Sequence, residues 1–110
     1  MALQHINPTK TKAWKELTSY FNGNSGTTIK ELFAKDPDRA KKFTLEWNDF
    51  IVDCSKNRIT EKTMGLLMQL AGEVDLQDAI RRQFSGDVIN GTEGRAVLHT
   101  ALRALETDVI

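Results

Sequence analysis

The sequence has 110 residues, with 15 Lys and Arg balanced by 15 Asp and Glu, so its formal net charge is zero. Proteins that hold nucleic acid through its phosphates usually carry a basic excess, so no nucleic-acid partner is expected. Cys54 is the only cysteine, which leaves no intrachain disulfide and no need for an oxidising compartment. No apolar run nears the ~20 residues of a membrane span, and Met1 to Lys10 lack the apolar centre of a signal peptide. A soluble cytoplasmic protein without a membrane partner is the expectation. Hydrophobic residues at 40% and charged residues at 27% lie near globular averages, and the length suits one unit.

Asn7-Pro8 reads as a helix start, an N-cap followed by proline at the first helical position. Ala13, Trp14, Leu17, Tyr20 and Phe21 then recur at helical spacing, and Asn22 to Gly26 supplies turn formers. Thr28 and Glu31 have the spacing of a capping box for a short helix with Ile29, Leu32 and Phe33 inward. Asp36-Pro37 predicts a further short helix to about Lys42. The period then changes: Phe43, Leu45 and Trp47 alternate with Thr44, Glu46 and Asn48, as in a half-buried strand. Asn48-Asp49 supplies a turn and Phe50-Ile51-Val52 a second strand, giving a β-hairpin over about 43–54.

Thr60 predicts an N-cap with Glu61 in the first turn, and Met64, Leu67, Leu70, Ala71 and Val74 form the apolar face that follows. Asp75 is read as the cap of a helix to about Phe84, with Leu76, Ala79, Ile80 and Phe84 inward and Ser85-Gly86 closing it. After the extended Val88-Ile89 and the turn Asn90-Gly91, Thr92 is expected to cap a last helix. Its apolar residues Ala96, Val97, Leu98, Ala101, Leu102 and Leu105 imply burial on more than one side. The sequence closes on Thr107-Asp108-Val109-Ile110, which fits either a frayed apolar end or the start of a cut strand. The fold class expected is mainly α with one small hairpin.

Residue chemistry supplies no evident active site. His5 and His99 each lack a partner at metal-ligand spacing, so no metal site is assigned. His99 is read as a core or interface histidine, with a catalytic role as the sharper alternative. Cys54 is read as a buried inert thiol; a nucleophile would need a base or a helix N-terminus nearby. Asn90-Gly91-Thr92-Glu93-Gly94-Arg95 has the residue types of a phosphate loop but matches neither the Walker nor the dinucleotide pattern, and a turn with a cap explains it. Ser55-Lys56-Asn57-Arg58 reads as an exposed polar loop.

Two runs reach further: Ile51 to Thr60, IVDCSKNRIT, and Phe84 to Arg103, FSGDVINGTEGRAVLHTALR. Both resemble the N-terminal region of glucose-6-phosphate isomerases, with weaker agreement through Asn7-Pro8-Thr9, Leu32-Phe33-Ala34 and Asp38-Arg39. Cys54 stands where the family typically has tyrosine, and ALETDVI over 104–110 departs from the common continuation. The resemblance implies a larger α/β sugar-isomerase-type enzyme that interconverts glucose 6-phosphate and fructose 6-phosphate without a metal or organic cofactor. A glutamate would move a proton between adjacent carbons through an enediol. A histidine, a lysine and an arginine would assist, and a Ser/Thr-rich loop would hold the phosphate. Those motifs have no counterpart in these residues, so no catalytic residue is assigned and the segment alone is expected to be inactive. Arg95 and His99 are the two candidates for approaching the substrate in the full enzyme; the alternative is that they order the last helix against its body. The partner expected is the remainder of the isomerase chain, with self-association through the last helix where that face is uncovered. A stand-alone helical interaction module is the competing reading.

Overall fold

Thr11 sets the start of the first helix. In this computed structural model, which describes residues 4–107, the Thr11 side chain accepts from the Trp14 amide and opens α1, Lys12–Asn24. Asn7 and Pro8 do form a cap, but only for the short 3-10 turn Pro8–Lys10, where Asn7 accepts from the Thr9 amide. The helix start expected there moves to Thr11 because that turn ends in extended backbone at Thr11 (φ −78°, ψ 158°), the geometry an N-cap requires.

The Thr28–Glu31 capping box is present and opens α2, Ile29–Lys35. Asp36 ends α2 and its Oδ1 accepts from the Asp38 amide at 3.0 Å, so the chain turns before α3, Arg39–Lys42. The hairpin follows as β1, Thr44–Trp47, and β2, Phe50–Asp53. They pair antiparallel with Leu45 opposite Val52 and Trp47 opposite Phe50. Asn48 turns the chain at φ 50°, a conformation asparagine tolerates better than most residues. The Cys54 amide donates to the Phe43 carbonyl at 2.8 Å, carrying the pairing one step past the strands.

Thr60 caps α4, Glu61–Glu73, in a box with Thr63. Leu66, not Leu67, is the residue this helix buries: Leu66 is 4% exposed and Leu67 41%. α5, Leu76–Ser85, begins without the side-chain cap expected of Asp75. Asp75 sits at a left-handed φ of 59° and its amide bonds back to the Gly72 carbonyl. An N-cap needs extended backbone to aim its oxygen over the first turn, so the direct α4–α5 junction forfeits that cap. Gly86 closes α5 at φ 81°, as a left-handed helix end favours glycine.

The largest departure lies beyond α5. Val88–Asn90 is β3 and Arg95–Ala96 is β4, an antiparallel pair. The helix expected from Thr92 is replaced by this second hairpin and by a 3-10 turn over His99–Arg103. Asn90 Oδ1 accepts from the Glu93 amide at 3.3 Å and Gly94 takes φ 65°, which returns the chain onto β3. A helix of this length needs a packed apolar face to persist. Among the described residues none covers it: Leu98 and Leu102 are exposed, Leu102 at 85%.

The chain is therefore about half helical. α1 packs mainly on α4, and the Glu73 carboxylate at the end of α4 accepts from the Ala13 amide in the first turn of α1 at 2.8 Å. Tyr20 and Thr60 hydroxyls meet at 2.8 Å along the same seam. The core is thin: among the described residues Ala13, Phe43 and Leu66 are the buried apolar ones. The accessible surface is 8828 Å2, whereas a compact monomer of 12.4 kDa exposes about 6,100 Å2. The radius of gyration, 18.2 Å, likewise exceeds the ~13 Å of a compact domain of this length.

Candidate functional site

Two places hold the residues singled out by the sequence. The first is the loop that links β2 to α4, Cys54 to Arg58. Arg39 reaches into it from α3 and is 3% exposed. Its Nε donates to the Ser55 carbonyl at 2.8 Å and its Nη2 to the Asn57 carbonyl at 2.7 Å. The guanidinium lies 4.5 Å from the Phe43 ring centre and 5.7 Å from that of Phe33. Rings on its flanks and carbonyls along its edge suit a planar delocalised cation, which a lysine would not replace. Ser55, at 1% exposed, is buried in the same loop, and the Asp53 carboxylate accepts from its amide at 2.8 Å. The Ser55 side chain and then its backbone amide hold the Asp53 carboxyl below the usual range. The loop read from sequence as merely exposed and polar is thus anchored at its centre, while Lys56, Asn57 and Arg58 face solvent. Arg39 entered the sequence reading only as part of a weak match. An arginine four residues before an aromatic, at the start of a short basic helix, carries no local signal of burial.

Cys54 is half-buried, not fully buried as expected. It lines a depression of about 270 Å3 with Lys42, Phe43, Leu45, Glu61 and Met64. His99 lines a different one. Cys54 and His99 thus line separate depressions, so the imidazole is not the nearby base that a nucleophilic thiol would need.

The second place is the turn and 3-10 segment after β3. Arg95 and His99, which a helix of the expected kind would set one turn apart on the same face, here line one open pocket of about 390 Å3. Asn90, Glu93, Ala96, Val97, Leu98 and Leu102 complete its wall. Arg95 and His99 are both exposed. Glu93 Oε2 stands 4.0 Å from Arg95 Nη1 and accepts from Asn90 Nδ2 at 3.4 Å. A weak exposed ion pair of this kind adds little to stability. His5 comes in from the N-terminal side: its ring lies 3.1 Å from where a Cβ on Gly91 would stand. Among the described residues no group of three or more His, Cys, Asp or Glu side chains has the geometry to hold a metal ion. None of their helices is long and apolar enough to cross a membrane.

The arrangement offers a cation, an imidazole and an amide at a rim, and lacks the enclosed walls a sugar phosphate would need. By its residues the chain belongs to the phosphoglucose isomerase family, whose model matches residues 53–110. That span contains the loop anchored by Arg39 and the whole Arg95–His99 pocket. Glucose-6-phosphate isomerase of Christiangramia forsetii is 55% identical over 102 residues, 93% of this chain and 19% of the relative. The enzyme of the same name from Desulforapulum autotrophicum is 48% identical over 103 residues, 94% of this chain and again 19% of the relative. The chain thus spans about a fifth of the length of these relatives.

Proposed function

We propose that these residues form the N-terminal segment of an enzyme that interconverts glucose 6-phosphate and fructose 6-phosphate, and that they do not turn over substrate alone. The observation that carries this is the 55% identity across 93% of the chain, set against 19% of the relative's length. The catalytic sugar-isomerase domains belong to the remaining four-fifths, in a soluble cytoplasmic protein without a metal or organic cofactor. Arg95 and His99 border the substrate pocket, or order the C-terminal segment against the body that completes it. The exposed Leu98, Leu102 and Leu105 face that body. Residues 1–110 on their own self-associate through the same side chains.

Coupled assays with glucose 6-phosphate test the reading on two polypeptides: one from the full reading frame and one ending at Ile110. The full polypeptide isomerises and the short one does not. Turnover by the short chain would refute its inactivity, and a long chain without isomerisation would refute the parentage of function.

A further inference from the structure

The register of the first hairpin sorts its side chains by face. Leu45, Trp47, Phe50 and Val52 are cross-strand partners on one side, while Thr44, Glu46, Ile51 and Asp53 share the other. The first set is wholly apolar, and its rings stack: Trp47 and Phe50 have centroids 5.7 Å apart and planes at 21°. Yet the four are 61%, 68%, 63% and 50% exposed. An all-apolar face set against one that is polar except for Ile51 is the mark of a strand pair with one buried face, and two strands alone are marginal in water.

We infer that the Leu45–Trp47–Phe50–Val52 face is a docking surface for polypeptide that follows residue 110 in the same chain. This rests on the reading of the chain as the N-terminal fifth of an isomerase. Three observations select that occupant. The relatives are about five times longer than the chain, so ample polypeptide exists to cover the face. The surface exceeds that of a compact monomer by about 2,700 Å2, and the four exposed side chains of the hairpin face add to the exposed total. The patch itself, on the order of 500 Å2, is of the size of the largest apolar patch a monomer carries, about 300–600 Å2 and often functional, and lies below the ~800 Å2 per partner of a stable dimer. A patch of that size suffices for a tethered segment, whose effective concentration reaches millimolar, and falls short for a second copy. The counter-surface is aliphatic and aromatic, and Trp47 inserts into it as the anchor, since indoles dominate such contacts.

The test uses the polypeptide produced from its full reading frame, its length confirmed by intact mass. Hydroxyl-radical footprinting compares oxidation of Trp47 and Phe50 in the native chain with the same chain in urea. At least tenfold protection is expected; oxidation within twofold of the unfolded chain overturns the inference. A benzoylphenylalanine in place of Trp47, photolysed in a mixture of 14N- and 15N-labelled protein, identifies the occupant. Cross-links to peptides beyond residue 110 without isotope mixing are expected. Mixed-isotope links, which indicate a second copy, or links confined to residues 4–107, overturn it. Isomerase activity of the same preparation separates the two readings. An active enzyme with an oxidised Trp47 refutes the docking surface alone. A reading frame that stops at Ile110 removes both.

Discussion

Replacing Arg39 with alanine opens the Cys54–Arg58 loop. The guanidinium satisfies the Ser55 carbonyl at 2.8 Å and the Asn57 carbonyl at 2.7 Å. Ser55 is buried, so its carbonyl is left without a partner, at a cost of about 1–3 kcal/mol. Loss of the contact with the Phe43 ring, 4.5 Å away, adds about 0.5–1 kcal/mol. The Asn57 residue is exposed, and water replaces its lost donor at little cost. Together these give about 1.5–4 kcal/mol of local opening, a fall of roughly 10- to 700-fold in amide protection. The reporters are the Asn57 amide, which donates to Cys54, and the Ile59 amide, which donates to Asn57. Hydrogen exchange read by mass spectrometry on peptides covering 54–60 makes the comparison, with Arg39→Lys as an intermediate control. Lysine keeps the charge but cannot span two carbonyls and lie flat on a ring. Protection of both amides within threefold of the parent in Arg39→Ala would refute the assignment of Arg39 as the anchor.

Leu66→Ala should cost about 2–3 kcal/mol, the low end for a buried leucine because the core around it is thin; urea unfolding monitored by circular dichroism measures it. Gly86→Ala forces an L side chain to φ 81° and should cost about 1 kcal/mol, read as a lower midpoint in the same assay. The Asp78 carboxyl is held below its ordinary value of 3.8, first by Arg82 and then by Arg81. A depressed folded pKa contributes stability that is fully present above the unfolded value and is lost as pH falls through the folded one. Exchange protection of α5 should therefore decline below about pH 3.8, and Asp78→Asn should flatten that decline; an unchanged pH profile in the variant would count against the ion pair. Glu73→Ala removes the acceptor of the Ala13 amide and should fray the first turn of α1 by about 1–2 kcal/mol, visible as faster exchange at residues 13–15.

Local chemistry made much of this fold legible. Thr28–Glu31 and Thr60 announce their helices because a capping hydrogen bond is a short-range event. The hairpin and its register follow from a period of two and from Asn48-Asp49. What failed depended on partners distant in sequence. The apolar pattern after Thr92 is that of a helix, yet helix formation there needs a surface to pack on, and Leu102 has none among the described residues. Asp75 looks like a cap until the amides of Val74 and Asp75 are seen to close α4. Arg39 and Glu73 were missed as structural residues. Glu73 did carry a signal: an acid in the last turn of a helix opposes the dipole and so points to a donor elsewhere. Of the candidate site, Arg95 and His99 were legible as residues of interest through the matching run. Their spacing of four would have put both on one face of a helix; the pocket they line instead was not legible, because β4 and the 3-10 turn after it replaced that helix.

The bond between Glu73 and Ala13 spans 60 residues of sequence. On the ribosome, α1 is finished long before the carboxylate that completes its first turn exists. At 5–20 residues per second the wait is about 3–12 s, far longer than the ~1 μs in which a helix forms and melts. Through that interval α1 depends on Thr11 alone and its apolar side chains have no α4 to meet. Until residue 73 has been made and has left the ribosome, the first turn of α1 has its Thr11 cap but not its Glu73 acceptor.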